Sequence, residues 1–132
     1  PIYEEEVVEV FLSPDRSTER YFEFEVSPFN VVFDAVITNQ NGKISADTGW
    51  DCEGFNSAVV VNEPEEIWKC YIAIPFSSLG CETPSDGEVW GCNLYRIDRV
   101  PGPAEYQAWS PTMARPASFH VPAMFGQIIY KI

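Results

Sequence analysis

Apolar and polar residues alternate along most of this chain. Residues 6–12, EVVEVFL, and 21–26, YFEFEV, both repeat with a period of two, as expected for strands that turn one face to a core. SPDRST lies between them and supplies Pro, Asp and Ser for a turn, so the two predict a hairpin. FNVVFDAVIT, 29–38, predicts a third strand after Ser27-Pro28, and the polar run NQNGKISADTG reads as a long surface loop leading to the strand FNSAVVV, 55–61. NEPEE turns the chain into WKCYIAIPF, 68–76; SSLG predicts one helical turn; GCETPSDGE turns it again into VWGCNLYRID, 89–98; and Ile128 and Tyr130 alternate into a final strand. There is no amphipathic helical period and no internal repeat. Strands at this spacing predict an all-β fold, an antiparallel β-sandwich of immunoglobulin-like or jelly-roll-like type, with residues 1–132 as one domain.

The parity of the strands sorts side chains by face. Phe22, Phe24 and Val26 share one face of their strand and Tyr21, Glu23 and Glu25 the other; Val8, Val10 and Leu12 oppose Val7, Glu9 and Phe11. Trp68, Cys70, Ile72 and Ile74 line one side of a later strand, as do Trp90, Cys92 and Leu94, which leaves Tyr71, Asn93 and Tyr95 on the second side. The pattern yields one core face and one face that mixes aromatic rings with carboxylates. A turn near Arg16 puts Glu9 opposite Glu23, and opposed like charges weaken a sheet by a few tenths of a kcal/mol or more. Either Arg20, Arg96 or solvent compensates them, or a polar ligand or cation does.

Composition narrows the partners. The 20 Asp+Glu against 8 Lys+Arg give a formal charge of −12, a field that repels nucleic-acid phosphates and anionic lipid surfaces. No apolar run approaches the roughly 20 residues that cross a bilayer as a helix. With 45% hydrophobic and 14% aromatic residues the chain can build a real core. Cys52, Cys70, Cys81 and Cys92 lack CxxC spacing and share one histidine, which speaks against structural zinc. Pairing 55–61 with 68–76 through NEPEE carries Cys52 toward Cys81, which makes a Cys52–Cys81 disulfide possible, and Cys70 and Cys92 are expected close together in the core, bonded or not.

Six ordered blocks, YEEEVVEVFL, YFEFEVSPFNVVFDA, WKCYIAIPFSSLG, VWGCNLYRID, YQAWSPT and FHVPAMFGQIIY, resemble the family 9 carbohydrate-binding modules and the wider DOMON-type superfamily. The resemblance implies a secreted or periplasmic bacterial β-sandwich without catalytic activity, attached to or secreted with a glycoside hydrolase such as a xylanase. It implies that a terminal sugar is clamped between two aromatic rings, at the positions of Tyr3 and Phe119, above a concave sheet. Glu9 matches a sugar-contacting glutamate, Glu23 stands where relatives carry an arginine, and Tyr95 stands where they carry a glutamine. Structural calcium is expected from the resemblance alone; Asp34, Asp47 and Asp51 provide carboxylates without EF-hand spacing. The family begins several strands before the segment matched by Pro1, so the chain resembles the C-terminal portion of that domain.

The remaining candidates are Arg96, Trp109 and His120. Trp109 in AWSP is a core or corner residue or a ligand contact, and Trp50 in TGWDCEGF caps an open end of the sandwich or meets a ligand. His120, the sole histidine, can donate to a ligand hydroxyl or ligate metal; Met113 and Met124 near it evoke haem ligation, but Met124 is too close in sequence for a second axial ligand. Glu9 and Glu23 imitate a glycosidase pair, yet a small sandwich without a deep cleft argues against hydrolysis, and no G-x-S-x-G elbow supports a serine hydrolase. Carbohydrate binding is thus the expected function, with a structural or interaction domain that has lost its clamp as the alternative.

Overall fold

The computed structural model describes residues 6–99 and 102–132. Among the described residues nine strands run in the order β1 (Val7–Ser13), β2 (Arg20–Val26), β3 (Val32–Gln40), β4 (Lys43–Asp47), β5 (Asn56–Asn62), β6 (Ile67–Ala73), β7 (Val89–Asp98), β8 (Glu105–Ala108) and β9 (Gly126–Ile129). Seven of them form one antiparallel sheet in the order β4-β3-β2-β1-β7-β8, with β9 also paired to β7. Strands β8 and β9 share that outer edge end to end, β9 against Val89 to Cys92 and β8 against Tyr95 to Asp98. The hairpin β5–β6 is a separate two-stranded layer. The fold is all-β and sandwich-like, as the alternation predicts.

Both faces of the large sheet are buried in its centre. On the apolar face, Leu12, Phe22, Phe24, Val36, Trp90 and Cys92 pack under Trp50, Phe55, Ile74 and Phe76. Trp50 lies 5.2 Å from Phe22, centroid to centroid, and so caps this core. SSLG contributes its helical turn here, a 3-10 turn over Phe76–Leu79 that ends on Gly80 at φ 71. The β5–β6 layer covers this face sparingly: its strands alternate exposed with half-buried residues. It is tied down by Ser57 Oγ donating to Asn30 Oδ1 at 2.7 Å and by Trp68 Nε1 donating to Glu6 Oε1 at 2.8 Å.

Several expectations are corrected. The presumed loop NQNGKISADTG holds β4, because Asn41 and Gly42 adopt φ 54 and 87 and close a two-residue hairpin between β3 and β4. Glu9 faces Glu25, and Glu23 faces Phe11. The link between β1 and β2 is two residues longer on the β2 side than a turn centred on Arg16 allows, so the register moves by two and every residue keeps its face. Cys52, Cys70, Cys81 and Cys92 are all free thiols. Cys70 lies on β6 and Cys92 on β7, strands of different sheets, so the two are not ladder neighbours and could meet only across the layers.

Candidate functional site

The second face of the large sheet carries the site. Val7, Glu9 and Phe11 of β1, Tyr21, Glu23 and Glu25 of β2, and Asn93, Tyr95 and Ile97 of β7 share it by register. At one end, Phe11, Tyr21, Ala35, Ile37 and Tyr95 form a second core under Phe119 and Phe125. At the other, the cover lifts and leaves a cleft of about 810 Å³ floored by Glu9, Glu23 and Glu25 and walled by Phe33, Tyr106, Phe119 and His120, with Arg99 also at its margin.

The wall is delivered by the loop between β8 and β9. Asn93, fully buried, accepts from the Ser110 amide at 2.9 Å and donates to the Ser110 carbonyl at 2.8 Å. The chain therefore leaves the sheet where β8 ends. Ser110 Oγ donates to the Met124 carbonyl at 2.6 Å and closes the neck of the loop. A Cβ at Gly126 would lie 2.3 Å from Trp109 Cζ3, so only glycine lets the indole seal this neck. Within the loop, Phe119 stacks on Tyr95 with centroids 4.2 Å apart and planes 17° apart, and the Tyr95 hydroxyl donates to the Phe119 carbonyl at 2.9 Å. The half-buried ring is braced flat. His120 Nδ1 is hydrogen-bonded to the Tyr21 hydroxyl at 2.8 Å, and its Nε2 lies 4.0 Å from Glu23 Oε1.

The floor is unusual electrostatically. Glu9, Glu23 and Glu25 are only 4%, 6% and 1% exposed, and among the described residues no Arg or Lys pairs with them. Burial pushes Glu9 up to about 8, with Glu23 adding to the rise. Burial pushes Glu23 up to about 7, and pushes Glu25 up to about 9 with help from the charges of Glu9 and Glu23. Burial also lowers His120, which stays neutral and gives no ion pair with Glu23. The floor consequently presents hydrogen-bonding carboxyl groups, with Arg99 lining the same cleft but in no ion pair with them.

The predicted residues separate into two groups. Glu9, Glu23, Phe119 and His120 converge on the cleft. Tyr95 lies beneath Phe119 as its support, 3% exposed. Arg96 belongs to the opposite face, where Nη2 meets Glu6 at 3.3 Å and Asp98 at 2.7 Å, because its neighbour Tyr95 takes the site face. Arg20 lies over the Phe22 ring at 4.9 Å and compensates neither glutamate. Trp109 is the neck seal, beside Leu94 and Arg96, and is not a wall of the cleft. Tyr3 lies outside the described residues. Glu25 and Tyr106 were missed as site residues; the parity of β2 already put Glu25 beside Glu23, whereas nothing local marks Tyr106. Asp34 and Asp47 spend carboxylate oxygens on the Cys52 and Gly49 amides, and the cluster of potential metal ligands among the described residues is Glu9, Glu23 and Glu25.

No protein-family model matches the chain. It is 30% identical, over 149 aligned positions, to a protein of Arthroderma benhamiae named "Extracellular protein", the match covering 98% of this chain and 62% of that one. The fold matches the crystal structure of a candidate carbohydrate-binding protein from Bacteroides uniformis with a TM-score of 0.73 and 21% identity, over 98% of this chain and 63% of that chain. The chain thus spans less than two thirds of the length of either. At 21% identity the structural likeness establishes the sandwich-like fold. No helix is long and apolar enough to cross a membrane among the described residues.

Proposed function

We propose that the cleft binds carbohydrate without catalysis, holding a glycan or terminal sugar against Phe119. The observation that carries this reading is the Phe119 ring, half-buried and braced flat on Tyr95 at 4.2 Å beside a floor of buried carboxyl groups. Sugars present apolar CH faces and directed hydroxyls, and a fixed ring next to hydrogen-bonding carboxyls meets both needs. Tyr106, at 5.9 Å from Phe119 and edge-on, extends the wall. The resemblance to family 9 modules supplies the opposed aromatic, Tyr3, and the carbohydrate-binding description of the Bacteroides neighbour agrees with the reading. Secretion agrees with the extracellular relative, and an attached or co-secreted glycoside hydrolase is the partner we infer. Hydrolysis by the chain itself is disfavoured because its glutamates sit side by side on neighbouring strands, on one side of the cleft, and do not flank a bond.

Calorimetric titration with mono- and oligosaccharides, beside thermal melts, tests this. Phe119→Ala is expected to abolish sugar binding while costing about 1–2 kcal/mol of stability, less than a fully buried phenylalanine costs. Retained weak affinity with a lowered melting temperature would instead make Phe119 a packing residue and favour the structural-domain alternative.

A further inference from the structure

Glu25 Oε2 is closed to water and has no hydrogen-bond partner, although the carboxylate lies against the cleft. Glu25 is 1% exposed, and native structures seldom leave such an oxygen unpaired. Glu9, Glu23 and Glu25 each bring a ligand oxygen within 4.8 Å of the other two. A hard divalent cation of the calcium type binds oxygen at about 2.3–2.6 Å, so pairwise separations up to about 4.8 Å allow one ion to meet all three. An ammonium group, with contacts of about 2.7–2.9 Å, tolerates wider spacing and needs space that the water-excluded Oε2 lacks. The donor set is all oxygen, which suits calcium or manganese better than zinc or copper. The register explains the cluster. Glu9 and Glu25 are directly opposed across β1 and β2, and Glu23 is two residues along the same face.

We propose that Glu9, Glu23 and Glu25 bind one hard divalent cation of the calcium class at the floor of the cleft, and that its open coordination positions take vicinal hydroxyls of the glycan. The second half rests on the carbohydrate reading above; the cation site does not. Three protein carboxylates leave several of the six to eight positions of such an ion unfilled. Those positions face a volume of about 810 Å³, enough for a sugar ring beside Phe119. The −12 charge of the chain favours accumulation of the cation.

The test is calorimetric titration of the EDTA-stripped protein with CaCl2 and MnCl2, with thermal melts in each salt and in EDTA. One equivalent should bind, with Kd on the order of 10⁻⁴ M as in extracellular calcium modules, and the melting temperature should rise reversibly. Glu25→Gln and Glu9→Gln should each weaken binding at least tenfold, while Glu82→Gln, on an exposed loop, should leave it unchanged. If the floor variants do not fold, the stoichiometry and EDTA reversal on the unaltered chain decide. Absence of binding at millimolar salt overturns the cation site, whatever sugars do. Cation binding with glycan affinity indifferent to EDTA overturns the bridging role and leaves the carbohydrate reading intact. Preference for glucosamine oligomers over neutral ones, without metal, overturns the proposal in favour of an ammonium ligand. Cation binding with no glycan binding upholds the metal site and overturns the bridge together with the carbohydrate reading.

Discussion

Replacing Gly126 with alanine places a methyl group 2.3 Å from Trp109 Cζ3, 2.7 Å from Cη2 and 3.1 Å from Cε3. The first two distances are impossible, and the third is tight, so the indole must move. It is already 54% exposed and can swing outward. A tryptophan buries roughly 150–250 Å² when fully covered. Losing the remaining half of that cover, about 100 Å² at about 25 cal/mol per Å², costs roughly 2.5 kcal/mol. Gly126 has no positive φ, so alanine recovers about 0.4–1 kcal/mol by stiffening the unfolded chain. The net loss is about 1.5–2 kcal/mol, roughly 4–8 °C in melting temperature for a domain of this size. The same displacement pulls on the neck that Ser110 and Met124 close, and that neck carries Phe119 and His120 to the cleft. Sugar affinity should therefore fall although residue 126 touches no ligand. Urea melts, tryptophan emission and calorimetric titration on one preparation measure all three effects. Unchanged emission and an unchanged urea midpoint would refute the argument, since they would show that the indole does not occupy the space above Gly126.

In metal-free buffer, Glu9, Glu23 and Glu25 hold protons in the fold at about 8, 7 and 9 that they release near 4.5 when unfolded, so stability is full below about pH 4.5 and declines as pH climbs through those values, by several kcal/mol. Urea melts in EDTA at pH 5, 7 and 9 check this, equal midpoints at pH 5 and pH 9 count against it, and Glu25→Gln should flatten the curve. Asn93→Ala removes the buried amide that binds Ser110 through both its groups, and should cost about 2–4 kcal/mol and loosen Phe119, read as a lowered melting temperature with weakened sugar binding. Thiol titration of the oxidised protein should count four free cysteines after denaturation, with Cys52 and Cys92 protected in the native state by burial that pushes the Cys92 thiol up to about 11. A count of two would restore a disulfide.

The sequence by itself determines which side chains share a face. A period of two is local, set by the pleat of each strand, so Glu9 with Phe11, Glu23 with Glu25, and Phe22 with Phe24 sort correctly whatever the strands pair with. β7 is legible to the residue, Val89–Asp98, because a long alternating run ends in charge. The Asn41-Gly42 turn and β4 read as loop, because the residues around them are polar and pair only with the outer edge of β3. What depends on distant parts of the chain is set by tertiary structure. Register is fixed by turn length and by the next strand across, and a shift of two residues exchanged Glu23 for Glu25 opposite Glu9 without changing any face. Trp109 and Gly126 are far apart in the chain and meet only because β8 and β9 lie end to end along β7. That meeting turns the segment around Phe119 and His120 into a closed loop over the carboxylates, because the strands on either side of it are held by hydrogen bonds to one shared edge.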